Sequence, residues 1–180
     1  MTRLRLAVFD VDGTLVDSAG SIVVSVEACW DACGFPEPDP AVVRRTIGLP
    51  WEESVETILP GAGETEFAQI RTYHDELAQG LRTRPERRET LFPGAYETLE
   101  ALEQDGFLLS VITSRSLNRL RDIIDDNGLS KRFMVLKTVD HGPGKPAPDL
   151  MFQTLAETGV EADATVMVGD TTYDIQMAQN

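Results

Sequence analysis

The sequence predicts an α/β protein: a parallel sheet with helices between its strands and one all-helical insert. Three observations predict it. The chain opens on a short apolar strand, Leu4 to Phe9, that runs directly into acidic residues. A helical stretch follows from Ser18 to about Leu81, with no strand pattern inside it. After Pro85, strands and helices alternate to the C-terminus, which is how a parallel sheet with helical crossovers is written.

The elements follow in order. Leu4, Leu6, Ala7, Val8 and Phe9 suit a buried strand, and Asp12-Gly13 signals the turn after it. From Ser18 to about Gly34, Ile22, Val23, Val26 and Trp30 fall on one helical stripe, with Asp17 or Ser18 placed to cap it. Pro36, Pro38 and Pro40 form a loop. Short helices are expected at 40–46 and 51–58, separated by Gly48-Leu-Pro50. A long helix runs from about Glu64 to Leu81, with Phe67, Ile70, His74, Leu77 and Leu81 on one face and His74 as a core histidine. Pro93 opens the next helix, which Gly106 closes. Phe107–Thr113 is a strand, 116–127 a helix, Phe133–Val139 a strand and 148–158 a helix. Thr165–Val168 is the last strand, and Gly169-Asp170 opens the final helix. The chain therefore divides into a core, residues 1–17 and 84–180, and a helical insert, residues 18–83. The two crossings, near Asp17–Ala19 and Thr83–Arg88, are expected to act as hinges.

Composition excludes several classes of function. The chain has 180 residues, 42% hydrophobic and 26% charged, with a formal net charge of −14. Nucleic acids and anionic membranes both call for a basic surface, so neither is an expected partner. No apolar run approaches the length of a membrane span. Arg3 and Arg5 lie inside the first strand, which is unlike a signal peptide, so the expected location is cytoplasmic. Cys29 and Cys33 sit one helical turn apart and read as small core residues. Trp30 and Trp51 read as packing. Arg44 and Arg45 are either solvated or placed to meet an anionic substrate.

In a parallel sheet, ligands bind at the carboxyl ends of the strands. There the sequence places Asp10 and Asp12 after the first strand and Thr113-Ser114-Arg115 after the second. Lys145 follows the third strand, and Asp170 with Asp174 follows the fourth. Asp12-Gly13 alone is a turn and Lys145 alone a surface lysine; their convergence on one crevice is what argues for a site. Carboxylate oxygens are hard ligands and suit Mg²⁺, which takes one or two carboxylates together with water and phosphate. A cation also explains how Asp10 and Asp12 tolerate each other.

Asp10-Val-Asp-Gly-Thr14, Thr113, Lys145 and Gly169-Asp170-Thr-Thr-Tyr-Asp174 resemble the four signature motifs of the haloacid dehalogenase superfamily. The helical insert resembles that family's cap. Leu91-Phe-Pro-Gly94, Lys145-Pro-Ala-Pro-Asp149 and Ile47-Gly-Leu-Pro-Trp-Glu-Glu-Ser54 look like its phosphoglycolate phosphatase-like branch. The resemblance implies a Rossmann-like parallel core with an inserted all-helical cap, and a further strand and helix beyond Asn180. Without them the sheet lacks its C-terminal strand, the last strand is an open edge, and Asp174 is poorly fixed on a short final helix.

The resemblance also implies roles. Asp10 is the nucleophile, forming an aspartyl-phosphate, and Asp12 the general acid and then base. Thr113 and Lys145 hold and neutralise the phosphoryl group; independently of the resemblance, the backbone amides after Gly13 and Ser114 would add donors where loops open into helices, and Arg115 is either a further phosphate contact or an ordinary surface arginine. Asp10, Asp12 (through its backbone carbonyl), Asp170 and Asp174 bind Mg²⁺. The implied substrate is a small phosphorylated metabolite, handled by a monomer or homodimer. Three other readings stay open. A sugar phosphomutase usually carries a histidine where Ile22 stands. A phosphate- or metal-binding protein without turnover would not need both first-motif acids. A phospho-acceptor receiver domain would not need the insert.

Overall fold

The computed structural model of the chain describes residues 3–81 and 89–180, residues 75–81 through their backbone only. The expected hinge at Thr83–Arg88 and the side chains of Leu77 and Leu81 lie outside the described residues.

Four strands form one parallel sheet: β1 (Arg5–Phe9), β2 (Phe107–Ile112), β3 (Phe133–Lys137) and β4 (Thr165–Val168), in the order β3-β2-β1-β4. The helices of the sheet unit are α5 (Ala95–Gln104), α6 (Leu117–Asp126), α7 (Asp149–Thr158) and α8 (Thr172–Gln179). Strand side chains alternate between faces, so each strand feeds two cores. Ala7, Phe9, Leu109 and Val111 pack with Leu99 of α5 and Leu120, Ile123 and Ile124 of α6. Leu6, Val8 and Ile112 pack with Leu150 and Met151 of α7 and Met177 of α8. This is why β1 and β2 read as apolar runs without alternation. Each fully buried side chain of this kind contributes about 1.5–3 kcal/mol.

Two boundaries shift for local reasons. Helix α5 starts at Ala95, not Pro93, because the Phe92 amide donates to the Leu15 carbonyl at 2.9 Å and Gly94 takes φ +86° as N-cap. Strand β3 ends at Lys137 because Thr138 turns the chain into a 3₁₀ turn at Val139–His141. Between β2 and β3 the register slips at Leu109/Ser110, and Met134, beside the slip, is exposed.

Strand β4 pairs only with β1 among the described residues. Its register puts Val166 opposite Ala7 and Val168 opposite Phe9, yet these two valines are 47% and 36% exposed. Strand β4 therefore carries exposed apolar side chains on one face. The expectation of a loose Asp174 is corrected: it is fully buried on α8 and accepts from the Thr171 amide (3.1 Å) and hydroxyl (2.8 Å).

The second compact unit is Ser18–Glu89, and the first is Met1–Asp17 with Thr90–Asn180. It holds α1 (Ala19–Cys33), α2 (Pro40–Thr46), α3 (Trp51–Ile58) and α4 (Glu64–Leu81). Its core is Cys29, Trp30, Val55 and Ile70, with Trp51, Phe67 and Tyr73 packed against it. Trp30 meets Phe35, and Trp51 meets Phe67, edge to face. His74 is exposed; Tyr73 takes the core position expected of it. Cys29 and Cys33 are free thiols, and burial pushes Cys29 up to about 12, so its thiol is packing material. Arg44 and Arg45 are exposed on α2. No helix among the described residues is long and apolar enough to cross a membrane.

Candidate active site

The turn after β1 is built by the chain on itself. The amides of Thr14, Leu15 and Val16 all point at the Val11 carbonyl, and the Gly13 amide donates to Val16. Gly13 has φ +78°, a conformation that side chains resist, and a Cβ there would lie 2.2 Å from Asp170 Oδ2. The turn is anchored below by the Asp10 amide, which donates to the Val168 carbonyl of β4. The Asp17 amide and the Thr90 carbonyl meet at 3.1 Å, where the sheet unit's chain leaves and returns.

Around this turn the strand ends bring together most of the residues expected from the sequence. Asp10, Asp170 and Asp174 offer carboxylate oxygens that all lie within 4.8 Å of one another. Lys145 Nζ lies 2.6 Å from Asp10 Oδ1 and 2.6 Å from Asp174 Oδ1, with all three side chains almost completely buried. These are ion pairs; neither contact has hydrogen-bond geometry. Asp10 Oδ2 is buried with no hydrogen-bond partner, an acceptor held out of water. Burial is the main cause that pushes Asp10 from its ordinary 3.8 up to about 7; Lys145 opposes it and Asp174 adds to it. Asp170 is pushed up as well, chiefly by burial. Three acids clustered around one lysine, one of them with an unpartnered oxygen, fit a hard divalent cation.

Asp12 is turned elsewhere. Its Oδ2 accepts from Arg115 Nε at 2.7 Å, and its Oδ1 accepts from the other arm of the same guanidinium. Its carboxylate is therefore not among the clustered three. Thr113 is buried at the end of β2, and its hydroxyl accepts from the Arg115 amide at 3.3 Å. Ser114 and Gly13 are partly exposed on the two neighbouring turns.

Some supporting contacts were not foreseen. Thr14 donates from its hydroxyl to Asp170 Oδ1 at 3.2 Å. Asp140 Oδ2 accepts from the Leu117 amide and caps α6, which fixes the turn holding Thr113 to Arg115. Gly169 packs so tightly that a Cβ there would lie 2.2 Å from Asp174 Cγ. None of these was signalled, whereas the grip of Thr171 on Asp174 was: the two have the spacing of a capping box.

Acids gathered with a lysine at the carboxyl ends of a parallel sheet define a class of α/β hydrolase. The comparison with known proteins makes the class specific. Residues 7–180 match the haloacid dehalogenase-like hydrolase family, and the chain belongs to it. It is 33% identical over 177 residues to the protein named probable phosphatase IndB from Dickeya dadantii, covering 97% of this chain and 76% of that one. It is 31% identical over 174 residues to the phosphoglycolate phosphatase of Aquifex aeolicus, covering 96% and 79%. Among solved structures, a haloacid dehalogenase-like hydrolase assigned in Bacteroides fragilis superposes with a TM-score of 0.89 at 21% identity, covering 98% of this chain and 83% of that one. CbbY from Rhodobacter sphaeroides, solved with phosphate, superposes at 0.80 with 21% identity, covering 98% and 82%. The chain is thus a hydrolase of phosphate esters in the phosphoglycolate phosphatase-like branch.

Proposed function

We propose that the chain is a Mg²⁺-dependent phosphatase that hydrolyses a small phosphate monoester, phosphoglycolate-like in size, through an aspartyl-phosphate on Asp10. The observation that carries the reading is the cluster of buried Asp10 and Asp174, paired by Lys145, with exposed Asp170 beside them and Asp10 Oδ2 left without a partner. Asp10, Asp170 and Asp174 would hold Mg²⁺, together with the Asp12 backbone carbonyl. Bound there, Mg²⁺ would supply the positive charge that lets an anionic nucleophile approach an anionic phosphate.

The residues of the chain do the rest. Lys145, fixed between two carboxylates, keeps Asp10 oriented and offsets charge on the phosphoryl group. Asp10 attacks phosphorus as the P–O bond to the leaving oxygen breaks, and Asp12 gives that oxygen its proton. Asp12 then takes a proton from water, whose oxygen attacks phosphorus and releases Asp10 and inorganic phosphate. Thr113, with the amides after Gly13 and Ser114, provides donors to the phosphoryl oxygens. The helical unit would govern which ester enters, and the protein would work as a monomer or homodimer in the cytoplasm.

The test is phosphate release from a panel of small phosphomonoesters, with and without chelator, for the wild type and Asp10→Asn. Release should need Mg²⁺ and vanish in the variant, because an amide is not a competent nucleophile. A phosphorylated Asp10 should be trapped by borohydride reduction and located by mass spectrometry. Undiminished turnover by Asp10→Asn would refute the covalent route.

A further inference from the structure

Arg115 and Asp12 form an unusually committed pair for two groups beside a catalytic cleft. Both arms of the guanidinium fork meet both oxygens of one carboxylate. The side chains are only 13% and 9% exposed, so water screens the pair weakly. Yet the backbone on each side belongs to a turn: Asp12 to the one after β1, and Arg115 to the one between β2 and α6. The Arg115 end is the better fixed, through its amide to Thr113 and the Asp140 cap on Leu117. Its long side chain remains the part that can swing.

Two facts make this pair hard to reconcile with a static role. An Asp12 whose two oxygens are both taken by Arg115 presents neither of them to a leaving oxygen. And a guanidinium fork that fits a carboxylate fits the edge of a phosphoryl group equally well. Lys145, by contrast, is held by Asp10 on one side and Asp174 on the other. Of Lys145 and Arg115, Arg115 is the one whose partner can be replaced by substrate.

We propose that Arg115 exchanges partners during binding: it holds Asp12 beforehand, passes to the phosphoryl group of the arriving ester, and so turns Asp12 loose toward the leaving oxygen. The inference rests on the phosphatase reading above and adds to it a coupling between substrate binding and the freedom of Asp12. Its consequence is thermodynamic. The carboxylate of Asp12 and a phosphate anion compete for one guanidinium, so removing the first must strengthen the second, and by more while Arg115 is present.

The experiment is a double-mutant cycle read by calorimetry of inorganic phosphate binding to the Mg²⁺-loaded protein. Its corners are wild type, Asp12→Asn, Arg115→Gln and the double variant. Asp12→Asn should tighten phosphate binding by about tenfold with Arg115 in place, a coupling of the size found between residues in contact. In the Arg115→Gln background the gain should shrink to about twofold, the relief of simple repulsion. Arg115→Lys, a point charge without a fork, should give an intermediate gain and serves as well if Arg115→Gln folds poorly. Equal gains in both backgrounds would overturn the exchange while leaving the phosphatase reading intact. Failure of every corner to bind phosphate, with no release from any ester, would overturn both.

Discussion

Asp10 is where burial, charge and mechanism meet most closely. Its carboxyl is pushed up to about 7, with burial the largest cause and Lys145 pulling the other way. A group whose folded pKa lies above its ordinary value holds its proton more tightly when folded. Its stabilisation is therefore intact below about pH 4 and is lost as pH rises through about 7. Asp10→Asn cannot lose a proton, so the chelator-treated variant should melt increasingly above the wild type as pH rises from 4 to 8. Mg²⁺ should shrink that gap by favouring the wild-type anion. Thermal melts of the two proteins at matched pH give the answer; parallel curves across the range would mean that Asp10 is charged and satisfied without a cation. Gly13 and Gly169 act at the same scale. Each lets backbone lie where any side chain would push an acid, Asp170 or Asp174, out of the cluster.

At the scale of elements, the most consequential is the shortest helix of the sheet unit. Helix α8 has 8 residues, too few to stand alone, yet it carries Asp174 fully buried. Two things hold it. Met177 sits in the core beneath the sheet, and Thr171 grips Asp174 Oδ2 with both its amide and its hydroxyl. Thr171→Ala removes the hydroxyl donor and should cost about 1 kcal/mol of stability, the usual loss for a helix cap. The more telling readout is Mg²⁺ affinity by calorimetry. It should fall several-fold, because Asp174 is then oriented by one donor and one lysine. An unchanged affinity would show that Lys145 alone suffices to place Asp174. Strand β4, next to it, shows the opposite economy. It carries Asp170 just beyond its end but leaves Val166 and Val168 47% and 36% exposed.

Across the whole molecule, two units close two separate sets of cores. The buried clusters of the sheet unit draw only on residues before Asp17 or after Thr90, and that of the helical unit only on residues between them. Both tryptophans of the chain, Trp30 and Trp51, belong to the helical unit. Tryptophan fluorescence therefore follows that unit's unfolding, whereas far-ultraviolet circular dichroism follows both. The proposed Mg²⁺ site lies wholly in the sheet unit, and a ligand stabilises what it binds. Adding Mg²⁺ should raise the dichroism transition by several degrees and move the fluorescence transition less. Coincident transitions that rise together would show instead that the units unfold as one block.

Much of this molecule could be read from its residues in order. Apolar runs bounded by Gly and Pro located the strands, and helical periodicity located the insert, because local propensity and burial pattern agree there. The acids and lysine of the site were legible because each lies in the segment that follows a strand, and parallel topology sends every such end to the same side. What the order of residues does not hold is anything that depends on how distant segments approach. The seam of α4 is an example: spacing favoured His74, but packing against the cluster of Cys29, Trp30, Val55 and Ile70 chose Tyr73, one residue away. So is Asp174, expected to be loose on a short helix and instead fixed by Thr171 and Lys145. The pairing of Asp12 with Arg115 joins residues 103 positions apart through a contact that neither local sequence signals. Sequence by itself determined which residues reach the carboxyl ends of the strands, since that follows from periodicity and chain direction. Only the tertiary structure decided which of them touch, because contact is set by side-chain packing between segments that are neighbours in space alone.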